Sequence, residues 1–284
     1  ILRKADIQTR SVGKEVLPRP GEYTGQVLRD GVLKFLRTWA ADRAPAAPLP
    51  VPADPVVAKE VPQRPAGFCT GCPERPIFSA MKLAQREVGE LHVSADIGCH
   101  LFSFLPPFHI GNTTMGYGLG TAAASAFKPD GKRAVAMMGD GGFWHNGLTS
   151  GIGNAVFNQD DTVTIIVDNG YSAATGGQDI LSSQADNATR KTKHPIETAV
   201  RGIGVSWGKT PTRTYDVARM RDTLKEALTS PEKGPKVIIA QSECMLNKQR
   251  RIKPLRAKAA KEGKRVVKAR FGVDPEACTG DHAC

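Results

Sequence analysis

The sequence predicts an α/β protein, a doubly wound parallel sheet with flanking helices. Short apolar segments typical of strands alternate with segments whose apolar residues recur at helical spacing. This alternation is typical of a parallel sheet with helices on both faces. Two strand-like segments, residues 134–138 and 163–167, stop abruptly at turns rich in glycine. In proteins of this class, such turns mark the edge of the sheet at which ligands bind.

The first predicted element is an amphipathic helix over residues 27–41, because Leu28, Val32 and Leu36 are spaced for one face. The later strand-like segments are short and are bounded by turn residues, as buried strands are. Strands are predicted at residues 92–95, 134–138, 163–167, 205–208 and 236–240. Helices are predicted at residues 76–87, 114–127, 147–158, 195–203 and 216–228.

The helix predicted at residues 114–127 contains glycines that would usually break it, namely Gly116, Gly118 and Gly120. Close approach of the backbone to a bound cofactor would explain them. Tight packing of the helix on the sheet would explain them equally well, and the sequence favours neither explanation.

The chain has 284 residues, enough for one large domain with additional segments. It begins with a residue other than Met and ends among cysteines, so we expect a fragment of a longer polypeptide. Five segments are expected: a tail of a preceding domain (1–42), a Pro-rich linker (43–66), the main domain (67–247), a basic segment (248–272) and the start of a further module (273–284).

Positive charge is concentrated near the carboxyl end. The net charge is +11, and residues 248–270 contribute eleven basic residues against Glu262 alone, or +10. We favour a solvated helix or strap lying against another subunit, with docking of an acidic protein as the alternative. No aromatic side chains that could stack on bases are interspersed, so nucleic-acid binding is not expected. No apolar run approaches the roughly 18 residues of a membrane span, and no signal peptide is visible, so we expect a cytoplasmic protein.

The two glycine-rich turns carry side chains suited to a metal–diphosphate site. Asp140 follows the strand at residues 134–138, and Asn169 follows the next strand. Because two parallel strands joined by a helix place both turns at one edge of the sheet, these residues should be neighbours. Magnesium prefers oxygen ligands, and we expect the Asp140 carboxylate, the Asn169 amide oxygen and the Tyr171 carbonyl oxygen to supply three.

Glycines around Asp140 would let a diphosphate approach free backbone N–H groups at the start of a helix. Either turn alone would be an ordinary strand-ending turn. Their occurrence at the ends of successive strands favours a cofactor site. The expected cofactor-binding residues are Gly139, Asp140, Gly141, Gly142, Asn169, Tyr171, Thr175 and Gly176.

Four cysteines form a second group: Cys69 and Cys72 in a C-x-x-C, Cys99 after a strand, and Cys244 after the last strand. In a chain with no sign of export, such thiols bind metals or act in redox chemistry more often than they form disulfides. Four thiolates can hold zinc or a 4Fe–4S cluster. From spacing alone, zinc or plain core cysteines are favoured over a cluster.

Four runs together resemble the thiamine diphosphate enzymes, whose motif is GDG, a helix, a strand and then Asn. They are FCTGCPERP (68–76), SADIGCH (94–100), MGDGGFWHNGLTSGIGNAVFN (138–158) and VDNGYSAATGGQ (167–178). More narrowly, they resemble the indolepyruvate branch of the 2-oxoacid:ferredoxin oxidoreductases. The resemblance covers roughly residues 67–246.

The resemblance implies thiamine diphosphate, Mg2+ and a 4Fe–4S cluster bound by Cys69, Cys72, Cys99 and Cys244. It implies decarboxylation of a 2-oxoacid, transfer of electrons one at a time through the cluster to ferredoxin, and transfer of the acyl group to coenzyme A. An oligomer with pyrimidine-binding and gamma-type modules of the same enzyme is implied as well. The alternative is a non-oxidative thiamine diphosphate decarboxylase or ligase whose cysteines bind a structural zinc.

Three further features concern histidines, two cysteines near the carboxyl end and glutamates. His145 follows the glycine-rich turn and is the candidate catalytic residue. His100 and His109 are less favoured candidates for an active-site role. Cys278 and Cys284 resemble the opening of a ferredoxin-like module, but Asp281 occupies the position of the middle cysteine. No residue of the chain is a convincing candidate for the glutamate that activates the pyrimidine ring, since Glu74 and Glu87 lie in the wrong sequence context.

Overall fold

The chain divides into two compact units, Ile1–Arg64 and Pro65–Cys284. In the first unit, helix α1 covers Gly25–Trp39, and Thr24 Oγ1 caps it by accepting a hydrogen bond from the Val27 amide at 3.4 Å. The computed structural model describes residues 12–19, 23–45, 67–127, 131–210 and 213–267, and the single residues 272, 274 and 276.

The second unit is built on a six-stranded sheet in which all neighbouring strands are parallel. The strands are β1 (Val93–Ala95), β2 (Thr113–Thr114), β3 (Val135–Gly139), β4 (Val163–Asp168), β5 (Trp207–Lys209) and β6 (Lys236–Gln241). Their order across the sheet is β2-β1-β3-β4-β6-β5. The crossovers between strands are helical, as parallel pairing requires.

Helices cover both faces of this sheet. They are α2 (Arg75–Val88), α3 (Gly120–Ala126), α4, α5 (Ile196–Gly202), α6 (Val217–Thr229) and α7 (Met245–Lys261); α4 is α-helical over Asp140–Gly142, π-helical over Phe143–Gly153 and α-helical over Asn154–Phe157. Alternate residues of each strand point to opposite faces. In β4, Ile165 packs with residues of α2 and α6, whereas Ile166 packs with residues of α4 and α5. The predicted fold class, a doubly wound parallel sheet with flanking helices, is therefore confirmed.

The predicted helix at residues 114–127 is wrong at its start. The structure has strand β2 at Thr113–Thr114, and α3 begins only at Gly120. Between them, Gly118 has a φ angle of 79°, and a Cβ atom there would lie 2.5 Å from the Gly142 carbonyl oxygen. A Cβ atom at Gly120 would lie 2.8 Å from the Met137 carbonyl oxygen. Of the two explanations for these glycines, the structure favours tight packing against β3 and α4 at both positions.

Helix α4 begins earlier than the predicted range of 147–158, because the chain turns into helix directly at Asp140. Its central part, Phe143–Gly153, is π-helical. π-Helical turns are frequent at functional sites. Gly147 lets this segment approach the sheet, since a Cβ atom there would lie 2.6 Å from Met138 Sδ.

Most of the described part of the basic segment forms the exposed helix α7. Within the part of the chain that the structure describes, five basic residues of α7 form neither an ion pair nor a side-chain hydrogen bond: Lys248, Lys253, Arg256, Lys258 and Lys261. Cys278 and Cys284 lie outside the described residues. No described helix is long and apolar enough to span a membrane.

At the amino-terminal edge of the sheet, a fully buried lysine is neutralised by Asp161. Lys236 Nζ lies 2.8 Å from Asp161 Oδ1 and also donates hydrogen bonds to the carbonyl oxygens of Glu232 and Gly234. Arg133 Nε lies 2.7 Å from the same carboxylate oxygen. Partial burial alone would raise the pKa of Asp161, but the hydrogen bonds and charges of Arg133 and Lys236 outweigh it and lower the pKa to about 2.

We expect the Asp161→Asn variant to lose about 3–5 kcal/mol of unfolding free energy at pH 7, because Lys236 would be left as an uncompensated buried charge. The folded-state pKa of Asp161 lies below its ordinary value of 3.8, so its ionised form stabilises the fold above pH 4. This contribution, about 2 kcal/mol, should be lost as the pH falls from about 4 towards 2. Urea unfolding of both proteins at pH 7 and at acidic pH would measure it. Asp160→Asn, at the neighbouring position, should change neither quantity, and equal stability of the Asp161 variant would contradict this account.

Candidate functional site

The turns that follow β3 and β4 lie side by side, because Gly139 pairs in register with Val167. Asp140 is almost completely buried, and its Oδ2 accepts hydrogen bonds from the Asn169 amide at 2.9 Å and from the Gly170 amide at 2.6 Å. Its Oδ1 accepts a third from the Gly141 amide at 2.8 Å. The structure thus brings Asp140 and Asn169 together at the carboxyl edge of the sheet.

The electrostatic surroundings of Asp140 favour a cation. Burial, followed by the nearby charge of Asp168, raises the pKa of Asp140 well above its ordinary range, and the three backbone hydrogen bonds lower it only in part. Burial also raises the pKa of Asp168, and a hydrogen bond donated by Gln241 offsets this rise only in part. Two buried carboxyl groups at one place are stabilised in their charged forms by a bound metal ion.

The two glycines that follow Asp140 leave no room for a side chain, whereas Gly139 before it faces open space. A Cβ atom at Gly141 would lie 2.2 Å from Tyr117 Oη and 2.8 Å from Ser172 Oγ, and these two hydroxyl groups are themselves hydrogen-bonded at 2.8 Å. A Cβ atom at Gly142 would lie 2.1 Å from Asp96 Oδ2. A small cavity lies over this backbone, lined by Glu74, Ile97, Gly98, Cys99, His100, Tyr117, Gly139, Asp140, Gly141, Asn169, Tyr171, Ser172, Ala173 and Ala174. We call it the glycine cavity.

Not every predicted cofactor-binding residue reaches the glycine cavity. Tyr171 lines it, and the Tyr171 amide donates a hydrogen bond to Asn169 Oδ1 at 3.3 Å. Thr175 and Gly176 are exposed, Gly142 is buried, and all three are absent from the lining. Thr175 Oγ1 is hydrogen-bonded within its own loop, at 2.8 Å to Ser172 Oγ.

Sequence reasoning missed Asp96, Tyr117 and Ser172. Asp96 follows strand β1, so the strand-end argument that identified Asp140 could have found it. Its Oδ2 accepts a hydrogen bond from the Gly118 amide at 2.7 Å, which fixes the turn before α3. Tyr117 and Ser172 lie 55 positions apart, and no local pattern connects them.

The three histidines differ sharply in environment. His145 is exposed, and its ring centroid lies 5.2 Å from that of Tyr117, which lines the glycine cavity. His100 is buried, with Nε2 2.6 Å from Asp96 Oδ1 and 3.0 Å from the Asp96 carbonyl oxygen. Burial alone would lower the pKa of His100, but its interactions with Asp96 and the charge of Glu74 outweigh burial and raise it. His109 is exposed in a left-handed turn and does not line the glycine cavity.

The four predicted thiols line one cavity, which we call the thiol cavity. Its remaining lining is largely apolar and consists of Gly67, Phe68, Pro73, Glu74, Phe102, Asn169, Ala173, Met245 and Leu246. All four cysteines are free. Burial, then the charge of Glu74, raises the pKa of Cys99 to about 12, and burial likewise raises the pKa of Cys72. Thiols in such surroundings are stabilised as thiolates only by a bound cation or metal centre.

The glycine cavity and the thiol cavity share a wall. Glu74, Cys99, Asn169 and Ala173 line both of them. The backbone reinforces this wall, because the Cys244 amide donates a hydrogen bond to the Asn169 carbonyl oxygen at 3.0 Å. Within the described ranges, no three His, Cys, Asp or Glu side chains are grouped as ligands of a single metal ion.

The sequence is similar to those of known proteins. The family model described as thiamine pyrophosphate enzyme, C-terminal TPP binding domain, matches residues 96–240. Indolepyruvate oxidoreductase subunit IorA of Methanothermobacter marburgensis is 30% identical over 81% of this chain and 36% of that protein. IorA of Pyrococcus horikoshii is 28% identical over 96% of this chain and 42% of that protein. The chain thus spans less than half the length of these relatives.

A solved structure shares the fold. It is a 2-oxoglutarate:ferredoxin oxidoreductase from Magnetococcus marinus with 2-oxoglutarate, coenzyme A and succinyl-CoA bound. It superposes with a TM-score of 0.55 and 17% sequence identity, over 64% of this chain and 66% of that one. At this identity the likeness concerns the fold alone.

Proposed function

Because the chain belongs to the thiamine pyrophosphate enzymes, as a module with their C-terminal TPP-binding domain, we propose that it binds the cofactor in a 2-oxoacid oxidoreductase. The proposed enzyme oxidatively decarboxylates a 2-oxoacid, an arylpyruvate such as indolepyruvate, to acyl-CoA. Electrons pass through a 4Fe–4S cluster to ferredoxin. The observation that carries the proposal is the wall shared by the glycine cavity and the thiol cavity, since it would put a redox centre beside the cofactor.

The glycine cavity fits Mg2+ and a diphosphate. Asp140, Asn169 and the Tyr171 carbonyl oxygen would hold the metal. Although both Asp140 oxygens accept backbone hydrogen bonds, each carboxylate oxygen has a further lone pair for coordination. Gly141 and Gly142 lie in the first turn of α4, where a diphosphate would meet the start of a helix, and the space at their Cα atoms is filled by Tyr117, Ser172 and Asp96. Gly139 would extend this surface, and Thr175 and Gly176 would contribute through their loop.

We assign a 4Fe–4S cluster to the thiol cavity. All four cysteines line this one cavity, which supports a metal centre that they share. Four thiolates can hold zinc or a 4Fe–4S cluster. The resemblance of the cysteine-containing runs to the 2-oxoacid:ferredoxin oxidoreductases favours the cluster.

The chemistry follows from these assignments. When bound, thiamine diphosphate would supply a carbanion and an electron sink for decarboxylation of the 2-oxoacid. Asp140 and Asn169 would orient its diphosphate end through the metal. Phe68, Phe102 and Met245 would shield the partly buried thiols Cys72, Cys99 and Cys244 from water. His145, exposed beside Tyr117, is the candidate to exchange a proton with the substrate at an imidazole nitrogen.

The remaining parts of the enzyme lie outside this chain. Coenzyme A, ferredoxin and the pyrimidine-binding and gamma-type modules are proposed partners, within a cytoplasmic oligomer. The name indolepyruvate oxidoreductase and the partial coverage of IorA support this arrangement. The unpaired basic residues of α7, which begins directly after Cys244, fit either another subunit or an acidic electron carrier.

The proposal is tested by anaerobic purification of the chain. We expect about four iron atoms and about four sulfides per chain, binding of thiamine diphosphate that requires Mg2+, and no 2-oxoacid-dependent dye reduction. Turnover is absent because the glutamate that activates the pyrimidine ring belongs to another module. An iron-free, zinc-containing protein that binds the cofactor would instead establish the non-oxidative decarboxylase or ligase. Failure to bind the cofactor with Mg2+ would refute both.

A further inference from the structure

Glu74 is a buried carboxyl group with an unused oxygen. It is 3% exposed and directly precedes helix α2. Its backbone carbonyl oxygen accepts hydrogen bonds from the Ile77 and Phe78 amides, so the residue is fixed at the helix start. Among the described residues, its Oε2 atom has no hydrogen-bond partner. A buried charged or polar group is retained in this state only at a cost in stability.

The neighbouring charged groups do not neutralise Glu74. The charges of His100 and Asp96 act on Glu74, but these two residues pair with each other, since His100 Nε2 lies 2.6 Å from Asp96 Oδ1. The other carboxylate oxygen of Asp96, Oδ2, accepts a hydrogen bond from the Gly118 amide. The Arg75 guanidinium donates hydrogen bonds to the carbonyl oxygens of Phe68 and Cys69. No ion pair of Glu74 occurs in the described structure, so its carboxyl group is available to a cationic or hydrogen-bond-donating ligand.

Glu74 belongs to the lining of the glycine cavity, together with Gly139, Asp140 and Asn169. If the diphosphate of a ligand binds at Asp140 and the glycines, this anionic end will not also lie against Glu74, because like charges repel. The part of the ligand that approaches Glu74 must therefore be cationic or carry a hydrogen-bond donor. Thiamine diphosphate has one permanent cation, the thiazolium ring.

We propose that Glu74 is the counter-charge of the thiazolium ring, and that it selects the cationic cofactor over neutral compounds of the same shape. This inference rests on the proposed function, because it takes thiamine diphosphate as the ligand of the glycine cavity. Glu74 thereby acts as a positioning residue at the wall that the glycine cavity shares with the thiol cavity. The role differs from activation of the pyrimidine ring, which needs a carboxylate at another part of the cofactor.

The test compares two ligands on the full-length enzyme, purified anaerobically and saturated with Mg2+. One ligand is thiamine diphosphate, and the other is 3-deazathiamine diphosphate, which has the same shape but a neutral ring. Dissociation constants are measured by calorimetry for the native protein and for Glu74→Gln, which keeps the size of the side chain. We expect Glu74→Gln to weaken thiamine diphosphate binding about tenfold, as for loss of one buried charge-assisted interaction. Binding of the neutral compound should change by less than about twofold.

Glu87→Gln is the matched control, because Glu87 lies near the other end of α2, is exposed and pairs with Lys225. It should bind both ligands as the native protein does. Glu74→Asp keeps the charge and gives a second test if the glutamine variant fails to fold, with an expected loss for thiamine diphosphate smaller than tenfold. Equal weakening of both ligands, or of neither, in a folded Glu74 variant would overturn the inference. If the native enzyme binds neither ligand, the proposed function itself fails.

Discussion

Replacement of Asp140 by asparagine is expected to weaken Mg2+-dependent binding of thiamine diphosphate by about 100-fold or more. Even the outer hydrogen-bond partners of metal ligands are worth about 10- to 100-fold in metal affinity, and Asp140 is proposed as a ligand itself. An asparagine side chain offers one acceptor oxygen where Asp140 offers two. At least one of the amides of Gly141, Asn169 and Gly170 would then lose its partner.

This second effect should also appear as a loss of about 1–3 kcal/mol in unfolding free energy, the cost of a buried unsatisfied donor. Calorimetric titration with cofactor and Mg2+, alongside urea unfolding of the free protein, separates the two effects. Asp179→Asn is the matched control, since Asp179 is partly buried, accepts a hydrogen bond from the Asn187 amide group and is absent from the lining of the glycine cavity. It should retain binding within a few-fold. Unchanged affinity in the Asp140 variant would remove the metal site from the proposal.

Serine at Cys99 or Cys244 is expected to eliminate the 4Fe–4S cluster. Both thiols line the thiol cavity, and a serine hydroxyl is a poor substitute for a thiolate toward iron. Iron content and visible absorption should fall to near background after anaerobic purification. In the full-length enzyme, reduction of ferredoxin should stop with it.

The two serine variants should differ in one respect. Cys99 also lines the glycine cavity, whereas Cys244 does not, so Cys99→Ser should weaken cofactor binding more than Cys244→Ser does. Thr70→Ala is the control within the same loop, because Thr70 is exposed and supplies no thiol. It should retain its iron. A full complement of iron in both serine variants would refute the assignment of these ligands.

The sheet and the Asp140–Asn169 pair were predictable because they depend on local patterns. Strand character, turn residues and the parallel crossover together determine which strand ends are adjacent. The exclusion of Thr175 and Gly176 from the lining of the glycine cavity was not predictable in this way. Their loop folds on itself through hydrogen bonds among Ser172, Thr175 and Gln178, and these depend on side-chain geometry rather than on sequence spacing.

Glu74 shows a different limit of sequence reasoning. Its position after the C-x-x-C gives no indication of burial, and the sequence context argues against a role in activating the pyrimidine ring. Its importance emerges only from the joint placement of α2, the turn at Asp96 and the loop at Asn169 around one cavity. Helix α3 illustrates the same point, because the backbone contact between Gly118 and Gly142 overrides the helical spacing that predicted an earlier start.

The three hydrogen bonds that Asp140 accepts from backbone amides also order the protein before a ligand binds. Their directions are set by a side chain that is itself immobilised in the interior, so this backbone at the carboxyl edge of the sheet is ordered before any ligand binds. Most of the entropy lost in arranging that backbone is therefore spent during folding and does not oppose association. Protons on these amides should exchange with deuterated solvent at the slow rates of the central strands, even without ligand.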